Sequence, residues 1–364
     1  MDIAVFGAGN GAHALAGDLA LHGHNVRLWE NPSFSDNIKH LERSGGKLTL
    51  TGATSGEAKL SLVTTEAAAA LDGAEAVFVL MPSYGQESAF DYMAPHLKDG
   101  QAVLVMPGNF GAISLYLRMK ARGRENQILI GESDTIPYAA RLDKNKSCNI
   151  FGVKGSVWAS AVPASATDRL LQKIEGILPV KLLPLPSVLA VALANTNMII
   201  HCPTMIMNAG RIETGERFRF YNDGMSASVC SVMEKMDEER LAVGKAWGYN
   251  LVTEFEDALA NYDLDSTQYR NLHEIFSLHP VYSKMGADSP QSVTHRYITE
   301  DVPYLLVPLS EMGKMVKVPT PTIDAIIHLA GIINQTNYMD CARGLNAMGF
   351  ENMSRNEIRN IVHG

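Results

Sequence analysis

Two sets of residues have the types and spacing that chemistry needs. Gly7-Ala8-Gly9-Asn10-Gly11-Ala12 follows the apolar run Asp2-Ile3-Ala4-Val5-Phe6 and precedes an amphipathic stretch, so a strand feeds a glycine turn and then a helix. In that order Gly7 permits a tight turn, Gly9 lets the backbone approach a pyrophosphate, and Ala12 is small enough for close helix–strand packing. The anion is expected on the unpaired amides of Asn10 and Gly11, at the positive end of a helix that starts near Asn10. The second set is Asn197, His201, Arg296 and Asp301. Asn197 and His201 are four apart and share one face of a helix just before Pro203, which reads as its break. A histidine there suits proton exchange, because an unperturbed imidazole has a pKa of about 6.5. The alternative is a satisfied core histidine.

Arg296 and Asp301 occur in His295-Arg296-Tyr297-Ile298-Thr299-Glu300-Asp301-Val302-Pro303. Thr299 reads as a helix cap with Pro303 in the first turn, which would place Asp301 where the helix dipole favours an ionised carboxylate. Such a carboxylate can orient an imidazole, or it can serve helix stability only.

The elements that must position these groups begin with a second strand, Asn25-Val26-Arg27-Leu28-Trp29, which ends at Glu30. Glu30 falls roughly 20 residues beyond the glycine turn, as a ribose-binding carboxylate requires. It favours NAD over NADP, since it accepts from both ribose hydroxyls and repels a 2′-phosphate. Arg27 and Lys39 keep NADP open as phosphate-lining residues, and a solvated acid on a strand tip is the other reading of Glu30. Lys47–Leu50 and Leu60–Val63 read as strands joined through a glycine-containing loop, with an Ala-rich helix from about Thr64 to Asp72. Ala76–Leu80 and Gln101–Val105 are apolar runs typical of parallel strands covered on both faces. They end in Met81-Pro82-Ser83 and Met106-Pro107-Gly108-Asn109-Phe110-Gly111. Open parallel sheets bind ligands at such carboxyl ends, so Pro82 and Asn109 are expected to face the nicotinamide half of the cofactor; ordinary chain reversal is the competing reading.

Composition changes after Leu183-Pro184-Leu185-Pro186, where helical periodicity takes over. The expected domains are residues 1–186, an α/β Rossmann-type doubly wound sheet, and residues 187–364, mostly α-helical. Helices are expected over Ser187–His201, Met225–Gly248, Leu309–Gly313, Pro321–Gly331 and Ser354–Val362. Met198, Ile199, Met205 and Met207 hint at an apolar substrate pocket, although Met at helical spacing more often marks a core.

The 364 residues, 46% of them hydrophobic, suffice for two domain cores. A net charge of −8 without any Lys/Arg-rich run argues against nucleic acid or an anionic membrane as partner and leaves small ligands. No apolar run reaches the roughly 20 residues of a membrane span, and the first strand starts at residue 2, so a cytoplasmic protein without a signal peptide is expected. Cys148, Cys202, Cys230 and Cys341 show no metal or disulfide spacing and are expected to be buried, reduced thiols. No metal is expected. A homodimer is the expected assembly.

Over nearly its full length the chain resembles the opine dehydrogenase family, the octopine and nopaline dehydrogenases and their bacterial relatives. The resembling stretches are Gly7 to Ala14, Asn195-x-Asn197-x-x-x-His201, Phe220-Tyr221-Asn222-Asp223-Gly224, Asp237-x-Glu239-Arg240, Glu300-Asp301-Val302-Pro303, Leu306-Val307-Pro308 and Val318-Pro319-Thr320-Pro321 with Asp324. The resemblance implies NAD(P)H-dependent condensation of an α-keto acid, such as pyruvate, with the amino group of an amino acid. By the same resemblance His201 and Asp301 match the proton-transfer pair, and Arg296 matches an arginine near the substrate carboxylates. Asn197 reads either as a hydrogen-bond partner for a substrate carboxylate or the cofactor carboxamide, or as a backbone cap. Rival readings are a reductase of a single keto or hydroxy acid, of the ketopantoate reductase or glycerol-3-phosphate dehydrogenase type, and a non-catalytic NAD-binding sensor. Those reductases use a catalytic lysine, and this chain has none beside Asn195, Asn197 or His201.

Overall fold

The structure, a computed structural model, describes residues 1–261, 264–278 and 289–364. The chain forms two compact units, Met1–Ala192 with Arg359–Gly364, and Leu193–Ile358. The division falls inside the helix Val188–Ala194, six residues beyond the composition change at residue 186, and the last helix, Arg355–His363, ends in the first unit.

The first unit is a doubly wound α/β fold. Its strands are β1 (Asp2–Phe6), β2 (Asn25–Trp29), β3 (Lys47–Gly52), β4 (Gly56–Lys59), β5 (Leu62–Thr64), β6 (Ala76–Val79), β7 (Ala102–Val105), β8 (Leu129–Ser133), β9 (Tyr138–Leu142), β10 (Cys148–Val153), β11 (Ser156–Ala161) and β12 (Lys181–Pro184). Eight of them form one sheet in the order β12-β11-β8-β7-β6-β1-β2-β5, parallel throughout except between β11 and β8. β6 and β7 are buried at every position, as strands covered by helices on both faces must be. The strand order reverses between β1 and β6, which run parallel, and the register aligns Phe6 with Trp29 and with Val79, and Val79 with Val105. The glycine turn, Glu30 and the Pro82 and Asn109 turns therefore leave the same edge of the sheet, at the switch point where such folds bind nucleotides.

The stretch Lys47–Leu50 departs from expectation. It belongs to a second sheet, β4-β3-β10-β9, where β3 pairs in parallel with β10 almost a hundred residues later. Leu48 and Leu50 alternate with more exposed neighbours, so one face of this small sheet is apolar, and it lies on the helix Asn10–Leu21. The expected strand Leu60–Val63 is shifted: a strand Gly56–Lys59, not expected, turns back onto β3, and Leu62–Thr64 joins the main sheet.

The described regular elements of the second unit are helical. Ala227–Trp247 is its long central helix, opened by Ser226, whose hydroxyl accepts from the Val229 amide, and closed by Gly248 at φ +90°. The single helix expected over Ser187–His201 is two. Asn195 Oδ1 accepts the Asn197 amide at 3.1 Å, a local bond that competes with helix continuation, so the chain breaks at Asn195–Thr196 and restarts at Asn197. Pro203 does not end the second helix, which runs through it to Met207. Taken together, Val188–Met207 is long and apolar enough to cross a membrane by length and composition, contrary to the expectation that no run would be, but it is mostly buried in the protein. Cys148, Cys202 and Cys230 are buried, whereas Cys341 is exposed.

Candidate active site

In the first unit the glycine turn has the geometry its sequence requires. Gly7 sits at φ +108°, and a Cβ there would lie 2.4 Å from the Leu80 carbonyl oxygen. Only glycine fits. Gly9 caps the helix Asn10–Leu21 without any side-chain bond, is exposed, and would present a Cβ to open space. The helix N-terminus thus offers backbone amides beside room for an anion, so these residues fit a dinucleotide. Gly11 is half-buried beside Ile136 and Ala12 is buried against the sheet. Asn10 has a structural task, since its Oδ1 accepts the Leu142 amide at 2.9 Å.

Glu30 is buried rather than solvated. Its Oε1 accepts from the Asn31 amide at 2.8 Å and its Oε2 from Asn37 Nδ2 at 2.9 Å, which fixes the carboxylate at the end of β2. Pro82 opens the helix Ser83–Met93. Asn109 is buried at φ +50°, and its Nδ2 donates to Ser83 Oγ at 2.9 Å, joining the two turns expected near the nicotinamide. The sequence reading missed Glu132. It is fully buried and accepts the Phe110 and Ala112 amides at 3.1 and 2.9 Å, holding the Asn109 turn at the start of the helix Gly111–Lys120. The only sequence signal for it is an acid at the end of the apolar strand β8, which faces both the turn and the helix dipole.

His13, one turn into the first helix, was also unrecognised. Its Nδ1 donates to the Gly9 carbonyl at 3.0 Å, and its ring stacks on His40 with centroids 5.2 Å apart. Burial, with His40 and Lys146 nearby, lowers its pKa to about 4, so it is neutral at physiological pH.

In the second unit His201 lies on the inner face of the helix Asn197–Met207 and is 6% exposed. Its Nδ1 is 2.8 Å from Asp301 Oδ2, and its Nε2 is 3.2 Å from the Tyr221 hydroxyl. Tyr297 stacks on the imidazole at 3.8 Å and 17°, with Phe220 at 6.2 Å. A carboxylate only accepts, so Nδ1 carries the hydrogen and Nε2 of the neutral ring is the acceptor.

Asp301 reaches this position differently from the expectation. Thr299 does not open a helix. His295 does, accepting the Tyr297 amide at its Nδ1, and the short helix Arg296–Thr299 is followed by a π-helical turn, Val302–Leu306, and the helix Val307–Met315. Asp301 stands at the junction before the π turn with its side chain unused for capping and therefore available to His201. Arg296 is half-exposed, and its guanidinium is anchored 2.8 Å from the buried Glu300 carboxylate. Asn197 is half-buried one turn before His201. Met198, Ile199 and Met205 are core residues and Met207 is exposed, so the hinted apolar pocket is not theirs.

Two further motifs are scaffolding. Arg240, completely buried, donates to Asp237 Oδ1 at 2.8 Å, to the Leu193 carbonyl at 2.8 Å and to the Val252 carbonyl at 2.6 Å. Glu239 accepts the Thr322 and Ile323 amides, capping the helix Pro321–Asn334. Beside this network Glu254 is buried, and desolvation with Asp257 nearby raises its pKa well above the ordinary range.

Residues 184–334 match the family model described as NAD/NADP octopine/nopaline dehydrogenase, alpha-helical domain, and residues 3–160 match the ketopantoate reductase PanE/ApbA model. An opine dehydrogenase of Arthrobacter sp. (strain 1C) is 29% identical over 99% of this chain and 98% of its own length. Over nearly its full length the chain is similar to opine dehydrogenases. Another relative is the octopine dehydrogenase of Mizuhopecten yessoensis, 24% identical over 90% of this chain and 88% of its own. A solved octopine dehydrogenase structure with NADH and L-arginine shares the fold at a TM-score of 0.80, with 20% identity and coverage of 100% and 98%. These matches indicate an NAD(P)-dependent oxidoreductase acting on CH–NH donors. The ketopantoate reductase likeness in the family models is confined to the nucleotide-binding part, and the helical unit carrying His201 and Asp301 matches the octopine/nopaline model.

Proposed function

We propose that this protein catalyses the NAD(P)H-dependent reductive condensation of an α-keto acid, with pyruvate the first to test, and the amino group of an L-amino acid, together with the reverse oxidation. The observation that carries the residue assignment is the 2.8 Å bond between His201 Nδ1 and Asp301 inside an aromatic enclosure. The nicotinamide supplies the hydride when bound, held in this reading by the Gly7–Ala12 turn and Glu30, with Pro82 and Asn109 at its nicotinamide end.

This chain's own groups do the rest. Condensation requires an ammonium to lose a proton, a carbinolamine to lose water with a proton returned to the departing hydroxyl, and the reduced amine to be protonated. His201 Nε2 takes the first proton and returns it to the departing hydroxyl, one group serving both proton steps. Asp301 keeps the proton on Nδ1 and stabilises the imidazolium through a charge-assisted hydrogen bond. Arg296, always charged and steadied by Glu300, offers its planar fork to a substrate carboxylate. Asn197, on the same helix face as His201, supplies an amide for a second substrate or cofactor oxygen.

The test is a matrix of α-keto acids against amino acids followed by NADH absorbance. Consumption that requires both partners supports the reading. Consumption with a keto acid alone identifies a simple keto acid reductase instead.

A further inference from the structure

His201 does not stop at Asp301. Its Nε2 is 3.2 Å from the Tyr221 hydroxyl, which is 3.2 Å from the Tyr297 hydroxyl, while the Tyr297 ring stacks on the imidazole. The segment Phe220–Gly224 that carries Tyr221 is a built turn: Asp223 accepts the Arg219 amide, Asn222 Nδ2 donates to the Phe276 carbonyl, and Asn208 Nδ2 donates to the Gly224 carbonyl. Asn208 closes the helix of His201, so the hydroxyl and the imidazole are tied to one scaffold.

We propose that Tyr221 and Tyr297 form a hydroxyl relay that sets the hydrogen-bonding state of His201 Nε2 and brings it the proton each turnover consumes. The inference rests on the reading of His201 as the acid–base group. Because Nδ1 always donates to Asp301, a neutral imidazole leaves Nε2 as an acceptor, so Tyr221 donates to it and Tyr297 donates to Tyr221. When Nε2 is protonated both bonds reverse: Nε2 donates to the Tyr221 oxygen, and Tyr221 donates to Tyr297. Every partner is satisfied in both states with no heavy atom displaced.

The reaction needs such a path. An ammonium, a keto acid, NAD(P)H and one proton give a secondary ammonium, NAD(P)+ and water, so one proton enters from solvent per turnover. His201 is 6% and Asp301 5% exposed, whereas Tyr221 and Tyr297 are half-buried. A proton arriving at the Tyr297 oxygen displaces its hydrogen to Tyr221, and the Tyr221 hydrogen passes to Nε2. Among the described residues the other groups around the ring do not offer this route. Asp301 is engaged at Nδ1, the Cys202 thiol is directed to the Tyr297 carbonyl with burial pushing its pKa up, His295 meets Tyr297 edge-on, and Arg296 pairs with Glu300.

Tyr221→Phe and Tyr297→Phe remove one hydroxyl each and keep the rings. Tyr221→Phe is expected to lower kcat about five- to tenfold, the scale of one net hydrogen bond, with KM values within about twofold. It should also displace the pH profile of kcat and, in protein without cofactor, move the 15N resonance of His201 Nε2. Tyr297→Phe should do the same less strongly, and it carries the test should Tyr221→Phe fail to fold. An unchanged kcat, pH profile and resonance in the folded variants would overturn the relay. His201→Asn separates the two ideas: if it is crippled while both phenylalanine variants are wild-type, only the relay falls, and if it is itself wild-type, the acid–base reading falls first.

Discussion

Asp301 and His201 lie one hundred positions apart in the chain, yet their side chains meet at 2.8 Å, both nearly excluded from water. A buried carboxylate facing a single imidazole nitrogen fixes which tautomer is present. His201→Ala is therefore expected to lower turnover about a hundredfold or more, within the 10² to 10⁴ that general acid–base catalysis contributes. Asp301→Asn preserves shape but lets Nδ1 become an acceptor, and it should cost a similar factor in kcat with little change in NADH affinity. Steady-state kinetics with both substrates varied checks both variants.

The two glycines at the start of the turn should behave oppositely. Gly7→Ala forces a Cβ onto the Leu80 carbonyl at a positive φ, so a loss of at least about 1–3 kcal/mol is expected in urea unfolding. Gly9→Ala meets nothing in the folded protein and should leave stability nearly unchanged. Its added methyl occupies the space an anion would use, so NADH binding followed by fluorescence should weaken about tenfold, or 1.4 kcal/mol. Unaltered NADH affinity would remove Gly9 from the cofactor site.

His13 predicts acid lability. Its pKa is about 4 in the folded protein against 6.5 ordinarily, so as pH falls through 6.5 the unfolded chain gains a proton that the native state refuses. Stability is unaffected at high pH, declines between pH 6.5 and 4, and levels off below. His40, lowered by its own burial, acts with the same sign. The His13 contribution between pH 7 and 4.5 is about 2 kcal/mol. His13→Gln, which keeps a donor toward Gly9, should flatten the stability–pH curve measured by urea unfolding over that range.

Glu254 predicts the opposite slope. With its folded pKa raised by burial, the native state retains a proton that the unfolded chain releases above the ordinary carboxyl range, so this group lowers stability as pH rises from there toward its folded value. Glu254→Gln keeps the hydrogen-bonding shape without the ionisation. Its melting temperature should equal or exceed wild-type at pH 8 and vary less with pH, and a lower value at pH 8 would show that the carboxylate is needed.

Local signals in the chain account for much of the fold. Gly7 at its positive φ, the all-apolar β6 and β7, and the helix bounded by Ser226 and Gly248 were legible because each depends on a few consecutive residues. The break at Asn195–Thr196 was not, because the apolar periodicity on either side is continuous and a single side-chain bond to the Asn197 amide interrupts it. The His295 cap and the π turn after Asp301 were hidden for a related reason: Thr299 with Pro303 fits a helix start by type as well as His295 does, and only packing chose between them.

The amino-acid order by itself determined the nucleotide-binding turn, the change from α/β to helical architecture and the candidacy of His201, Asp301 and Arg296, since propensities, caps and periodicities act within a few residues. Tertiary structure alone decided that β3 joins β10, that Glu132 holds the Asn109 turn, that Arg296 is anchored by Glu300, and that Tyr221 and Tyr297 close around His201. Those contacts arise where separately formed elements bury their faces against one another. Which side chains then meet is a property of the packing, which no local pattern encodes.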